Sequence, residues 1–220
     1  MAFKSSNTPL RWLDAASQLI LVQTKEWNSI EGTCFLLERN QHNWRIQQTF
    51  PIVVGKNGLR WGQGLHQMST DYVKQEGDGA GPAGIFLLGT AFGDLPINNS
   101  QWPFRKTTDS DLFIDDSRSN FYNQWVDTAT TQPDWNSHEV MNRPDGLYKR
   151  GLVIQHNMNP VQPNFGSAIF FHIWRSDTQP TLGCTAATYH HTEALLNWLR
   201  VEKQPLLLQF PISFFNFNLI

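Results

Sequence analysis

Two side chains near the C-terminal end of the sequence, His172 and Cys184, are of the types that carry nucleophilic chemistry. An apolar run at 168–171 predicts a buried strand that ends at His172, and a polar loop at 175–183 leads to Gly183 and Cys184. A cysteine attacks as its thiolate, and a nearby imidazole can take the thiol proton. Amides at a Gly-Cys turn could stabilise an oxyanion. A buried histidine beside a structural cysteine would leave the same pattern, so both interpretations stay open at this point.

The segments that must position this pair predict a mainly β domain. Runs rich in β-forming residues at 17–24, 33–39 and 44–48, separated by turn residues, favour an antiparallel meander. One clear helix follows Cys184, with Thr188 as its N-cap, and is expected to end near 200–203. No repeat or linker interrupts the sequence, so residues 1–220 are predicted to form a single domain. Further strands are predicted at 50–55, 85–88, 147–156 and 206–210.

Composition excludes several classes of function. The net charge is -2 and no Lys/Arg run occurs, so nucleic-acid binding has no electrostatic basis. No apolar stretch approaches the ~20 residues of a membrane span. The start of the chain shows no signal-peptide pattern, which fits either a cytosolic protein or one whose leader has been removed. Of the two cysteines, Cys34 lies in a predicted strand and reads as an inert core thiol, although a Cys34–Cys184 disulfide would compete with a catalytic role for Cys184.

Two other patterns in the sequence lack the residues that a phosphate loop or a calcium loop requires. The glycines at 75–88 lack the Gly-Lys-Ser/Thr of a phosphate loop and predict a loop that enters a strand. The polar segment 101–135 is expected to be a solvated loop, and its aspartates lack the glycine and the terminal glutamate of a calcium loop. The sequence thus predicts neither a metal nor a cofactor. The aspartates in question are Asp109, Asp111, Asp115 and Asp116.

The segment GSAIFFHIW, followed by PTLGCTAAT and the helix, resembles the catalytic signature of the L,D-transpeptidase family, the YkuD domain. It is most similar to the subgroup in which a short loop joins the histidine to the cysteine. Segments 58–62 and 76–84 resemble that subgroup's glycine-rich stretches, and the resemblance extends over about residues 17 to 210. Matches before the catalytic strand are Arg143-Pro144-Asp145, Tyr148 and His156-Asn157.

The resemblance implies a β-sandwich or mixed-sheet fold and a cysteine acyl-enzyme reaction on peptidoglycan peptide stems. Cys184 would be the nucleophile and His172 the base, oriented by a backbone carbonyl of Ile173 or Trp174. The main chain at Gly183 and Cys184 would polarise the carbonyl of a tetrapeptide stem, and the acyl group would pass to an amine on another stem. A carbapenem would form a covalent adduct at Cys184. A periplasmic location, with the leader removed, follows from such a substrate.

Weaker candidates for substrate contacts surround the pair. Arg175 could meet a substrate carboxylate or be a solvated charge, and His156 could line the cleft or hydrogen-bond the neighbouring loop. Leu182 and Thr185 depart from the commoner family pattern, which affects acceptor choice more than chemistry. Hydrolysis by the same thiol (L,D-carboxypeptidase or crosslink cleavage) and a wall-binding module that uses its nine Trp are the alternatives. The full set of candidate substrate-binding residues is His156, Asn157, Trp174, Arg175, Thr181 and Tyr148.

Overall fold

The computed structural model describes residues 8–40, 43–67, 71–98 and 101–214. These ranges contain thirteen strands, two α-helices and two 3₁₀ turns, the latter at Val201–Lys203 and Ile212–Phe214. The helices are α1 (Thr8–Ala15) and α2 (Tyr189–Trp198). The strands are β1 (Gln18–Thr24), β2 (Glu31–Asn40), β3 (Asn43–Val53), β4 (Leu59–Trp61), β5 (Gly81–Gly93), β6 (Phe104–Lys106), β7 (Asp111–Ile114), β8 (Trp125–Asp127), β9 (His138–Val140), β10 (Arg150–Ile154), β11 (Phe170–Ile173), β12 (Thr185–Ala187) and β13 (Leu206–Pro211).

One large mixed sheet forms the body of the molecule, in the strand order β10-β11-β12-β3-β2-β1-β13-β5-β4. Because β10 also pairs with β5, the sheet closes on itself like a barrel. The meander β1-β2-β3 is antiparallel, whereas β11 and β12 run parallel. The predicted mainly β fold, with a mixed sheet and a helix after Cys184, is confirmed in this form.

Helix α2 begins as the sequence predicts. The Thr188 hydroxyl accepts a hydrogen bond from the His191 amide at 3.1 Å and so caps the first turn. Leu195 and Leu196 are buried, and the helix contacts β10, β11 and β12. It ends at Trp198, slightly before the predicted 200–203, where a 3₁₀ turn takes over. Helix α1 was not predicted, because eight residues are too few for a clear 3.6-residue period.

The expectation of a solvated loop at 101–135 is wrong. Strands β7, β8 and β9 form a separate three-stranded sheet in the order β8-β7-β9, and β6 joins the large sheet beside β5. Asp111 is 2% exposed and accepts hydrogen bonds from the Trp125 indole at 2.8 Å and the Thr108 amide at 2.9 Å. The backbone amides of Arg118 and Asn136 likewise donate hydrogen bonds to the Asp116 carboxylate. These carboxylates therefore hold the small sheet together.

Several predicted strand limits also change. The runs at 44–48 and 50–55 are one strand, β3, and the predicted strand at 85–88 extends over the whole of β5, including part of the glycine-rich segment. The strand predicted at 168–171 begins only at Phe170, which leaves Ala168 in the preceding loop. Within the described ranges, no helix has the length and hydropathy that crossing a bilayer requires. Most of the apolar C-terminal tail, 215–220, lies outside the described residues.

Candidate active site

The parallel pairing of β11 with β12 brings His172 and Cys184 to one face of the sheet. His172 lies opposite Ala186, so the same register carried back along the chain places Phe170 opposite Cys184. The Phe170 amide indeed donates a hydrogen bond to the Cys184 Sγ at 3.3 Å. Side chains alternate along a strand, and residues in register share a face. His172 and Cys184 therefore point to the same side, where both line a cleft of about 430 Å³.

The His172 imidazole is held by the carbonyl of the next residue. Its Nδ1 lies 2.8 Å from the Ile173 oxygen, and a carbonyl can only accept, so Nδ1 carries the proton and Nε2 is left free to act as a base. The ring also packs edge-on against Tyr148, with 5.2 Å between centroids. Of the two carbonyls expected to orient the ring, that of Ile173 makes the contact. Burial lowers the pKa of His172 to about 4, so the ring is neutral at pH 7.

The Cys184 sulfur has two backbone partners. Its thiol donates to the Ala168 carbonyl at 3.4 Å while it accepts from the Phe170 amide. Burial raises the pKa of Cys184 to about 12, which makes the resting pair a neutral thiol beside a neutral imidazole. Both cysteines are free, and Cys34 is fully buried, so the competing disulfide is not formed and the prediction of a core thiol at Cys34 is confirmed.

Thr181 shapes the turn that presents Cys184. Its hydroxyl donates to the Cys184 carbonyl at 2.6 Å and accepts from the Gly183 amide at 3.1 Å. Gly183 has a φ of +153°, a conformation that glycine adopts readily. The Thr181 amide donates to the Val54 carbonyl, and the Thr181 carbonyl accepts from the Lys56 amide. The expectation that the Gly183 amide is available to a substrate carbonyl needs correction, because Thr181 occupies it in this structure.

Four of the candidate substrate-binding residues line the cleft with the pair, namely Tyr148, Trp174, Arg175 and Thr181. Arg175 donates to Asp145 at 2.7 Å, so it is already paired with a carboxylate. The Tyr148 hydroxyl donates to Glu139 at 3.3 Å, and its ring is largely buried. These residues form walls whose charges are partly balanced before any ligand binds.

His156 and Asn157, the other two candidates, do not line this cleft, which corrects their assignment as substrate contacts. They are 1% and 2% exposed. His156 accepts at Nδ1 from the Gln63 amide at 3.1 Å and donates from Nε2 to the Phe165 carbonyl at 2.9 Å. Asn157 donates to the carbonyls of Gln162 and Gly166 at 2.8 and 3.0 Å. Both side chains fix the loop that leads into β11.

Several charged cleft residues were not predicted from the sequence. Lys74 is 3% exposed and pairs with Asp78 at 2.6 Å. Glu76 accepts from the hydroxyls of Ser167, at 2.7 Å, and Tyr122. Burial raises the pKa of Asp115, and the nearby Glu76 charge adds to this. Such residues come from distant segments with no shared spacing, and only Glu76 and Arg143 lie in segments quoted for the family resemblance. The remaining charged residues of the walls are Glu139 and Arg143.

No group of three or more His, Cys, Asp or Glu side chains that could hold a metal ion occurs among the residues that the structure describes. The chemistry that this arrangement can perform with its own side chains is nucleophilic attack by Cys184, with His172 as the proton acceptor.

Comparisons with known proteins assign no family. No family model matches the chain, and no curated protein matches it. A solved structure titled "Structure of Bdellovibrio bacteriovorus Bd1075" is similar over 89% of this chain and 48% of that one, with 13% identity and a TM-score of 0.45. The chain thus spans about half the length of that protein, and a likeness this distant carries no assignment.

Proposed function

We propose that the protein is a peptidoglycan L,D-transpeptidase with a YkuD-like catalytic domain, which transfers an acyl group through Cys184. The observation that carries the proposal is the His172 ring, oriented by the Ile173 carbonyl on the same sheet face as the Cys184 thiol. The resemblance of 166–188 to the family's catalytic signature supplies the substrate class. The proposed location is the periplasm, where peptidoglycan lies.

In the proposed first step, the Cys184 sulfur attacks the amide carbonyl that follows the L-centre of the diamino acid in a tetrapeptide stem. The thiol proton turns from the Ala168 carbonyl and passes to Nε2 of His172 as the S–C bond forms, because neither group is charged at rest. The C–N bond then breaks, and His172 returns the proton to the leaving amine of the terminal D-residue. A thioester on Cys184 remains.

In the second step, an amine on another stem attacks the thioester. His172 takes a proton from that amine, the C–S bond breaks, and the sulfur is reprotonated, which restores the resting enzyme. The Cys184 amide is the proposed donor to the oxyanion, and the Gly183 amide can join it only by giving up the Thr181 hydroxyl.

Hydrolysis of the same thioester is the second candidate function. The observation that favours it is the polar lining of the cleft, which includes Glu76, Glu139 and Arg143 and would admit water to the thioester. Water would then replace the acceptor amine, and the products would be trimmed stems or cleaved crosslinks instead of new crosslinks.

The test is incubation of the protein with tetrapeptide muropeptides, followed by mass spectrometry of both products and protein. The proposal expects a thioester on Cys184 and loss of the terminal D-residue, with the ratio of crosslinked to trimmed stems separating transfer from hydrolysis. A carbapenem is expected to add its mass at Cys184. Cys184→Ala should abolish all these products, and Cys34→Ala, at the other buried thiol, should keep them. Folded wild-type protein that yields neither product nor adduct would contradict the proposal.

A further inference from the structure

We propose that Asn123 is a positioning residue for the Cys184 thiol and that it acts through the main chain of Ala168. The inference rests on the proposed function, because it takes Cys184 as the nucleophile. Asn123 lies between β7 and β8 in the small sheet and is 2% exposed. It is not among the residues that line the cleft.

Both polar atoms of the Asn123 side-chain amide form hydrogen bonds with the main chain of the loop that enters β11. Its Oδ1 accepts from the Ala168 amide at 3.1 Å, and its Nδ2 donates to the carbonyls of His156 and Asn157 at 3.0 and 2.7 Å. Its own amide donates to Ile114 in β7 at 2.8 Å. The small sheet thereby fixes Asn123, and Asn123 fixes the loop.

Ala168 connects the hydrogen bonds of Asn123 to the Cys184 sulfur. Its φ is +52°, the left-handed region, which disfavours a residue with a Cβ. In that conformation its amide faces Asn123 and its carbonyl accepts the Cys184 thiol at 3.4 Å. An unfavourable backbone conformation persists only where its surroundings hold it, and Asn123 supplies the side-chain hydrogen bond that does so.

The two partners of the sulfur differ in how they are held. The Phe170 amide belongs to β11 and is fixed by pairing with β10, whereas the Ala168 carbonyl lies before the strand. Of these two partners of the sulfur, loss of Asn123 therefore frees only the Ala168 carbonyl. The sulfur then loses one of the two backbone contacts that fix its position, so fewer molecules hold it where it can attack. It also loses a hydrogen bond to its protonated form, which makes ionisation easier.

Asn123→Gly is the informative variant. Asn123 itself has a φ of +59°, which glycine adopts without strain, so this substitution removes the amide and spares the local backbone. The matched control is Asn120→Gly in the same segment, whose exposed side chain bonds to Asp134 and not to the loop.

Asn123→Gly is expected to lower kcat about tenfold, since the left-handed conformation of Ala168 is no longer held. The KM for tetrapeptide should change less than twofold. The rate of Cys184 alkylation by iodoacetamide at pH 8 should rise, by about threefold or more, because the thiol ionises more easily. Adding Ala168→Gly should return kcat and the alkylation rate toward their wild-type values, because glycine enters the left-handed region freely. Asn120→Gly should leave both unchanged.

A fall in kcat without the rise in alkylation, or a loss that Ala168→Gly fails to restore, would overturn the proposal and indicate a general structural role. If Asn123→Gly alone does not fold, Asn123→Gly/Ala168→Gly is compared with Ala168→Gly. Alkylation within twofold between these two supports the proposal, and a larger difference overturns it. Alkylation needs no peptide substrate, so it can be measured even if the protein does not turn over peptides. In that case the expected rise in alkylation of Asn123→Gly would support the positioning role, and only the proposed function would be refuted.

Discussion

The protonation state of Cys184 before substrate binds can be tested by the pH dependence of its reactivity. Burial raises the pKa of this thiol to about 12 and lowers that of His172 to about 4. Neither group is charged between pH 5 and pH 9 under those values. We therefore expect the rate of Cys184 alkylation by iodoacetamide to rise about tenfold per pH unit from pH 6 to pH 10, without a plateau.

The size of the effect separates this state from a preformed ion pair. At pH 7 a thiol of pKa about 12 is ionised to about one part in 100,000, whereas an exposed cysteine of pKa ~8.5 is ionised to about 3%. Cys184 should thus react roughly 3,000-fold more slowly than the same cysteine in a short peptide. A thiolate–imidazolium pair would instead keep the cysteine largely ionised at pH 7 and give a flat profile.

The assay quenches alkylation at timed intervals and quantifies the peptides that contain Cys184 and Cys34 by mass spectrometry. Unfolded protein gives the reference rate for both cysteines. His172→Ala should leave the slope of the Cys184 profile unchanged, because a neutral ring supplies no charge to the resting thiol. A plateau between pH 5 and pH 8, or a profile that flattens only when His172 is present, would refute the reasoning.

The remaining predictions concern stability. Three buried histidines have pKa values of about 4 in the folded protein, against about 6.5 when unfolded, so the stability that they contribute is complete above pH 6.5 and is lost as the pH falls toward 4. Each of these histidines should lower the free energy of unfolding by about 2 kcal/mol at pH 5, which is measured as a lower urea midpoint than at pH 7. The control variant at the exposed His138, His138→Gln, should show the same pH dependence as wild type. Equal urea midpoints at pH 5 and pH 7 would contradict the prediction. Gly84→Ala should lower the free energy of unfolding by about 3 kcal/mol, because the added Cβ would overlap the His66 ring at a φ of +148°. Gly77→Ala, which also has a positive φ but no neighbour within 4 Å, should cost about 1 kcal/mol; equal losses would argue against the overlap. The histidines concerned are His66, His156 and His172.

The parts of the fold that the sequence predicts well are those with local signals. The meander β1-β2-β3 follows from β-rich runs and turns, and helix α2 from the Thr188 cap and the spacing of its leucines. The family resemblance implied a backbone carbonyl after His172, and the structure has the Ile173 carbonyl against Nδ1 of the ring.

The small sheet was missed because its strands are three or four residues long. A two-residue period needs more positions than that to stand out, and aspartates such as Asp111 that are buried by hydrogen bonds look in sequence like solvated ones. His156 was misplaced for a related reason. A histidine at a strand end suggests a functional group, and only the tertiary contacts show both of its ring nitrogens engaged with the backbone.

The small sheet also links two properties that are usually considered separately. Glu139 in β9 and Asp115, next to β7, line the cleft wall, and Asn123, between β7 and β8, bonds to the loop whose Ala168 carbonyl accepts from Cys184. Neither His172 nor Cys184 lies in the small sheet, so the pair itself can stay unchanged while the segment around it varies. If the proposed function holds, substitutions at Asp115 and Glu139 should act mainly on which ligand is bound, and those at Asn123 on the reactivity of Cys184. Under the proposed function, the small sheet that was predicted as a loop is where ligand choice and the reactivity of Cys184 could be altered separately, because different residues of it contact the cleft and the loop before β11.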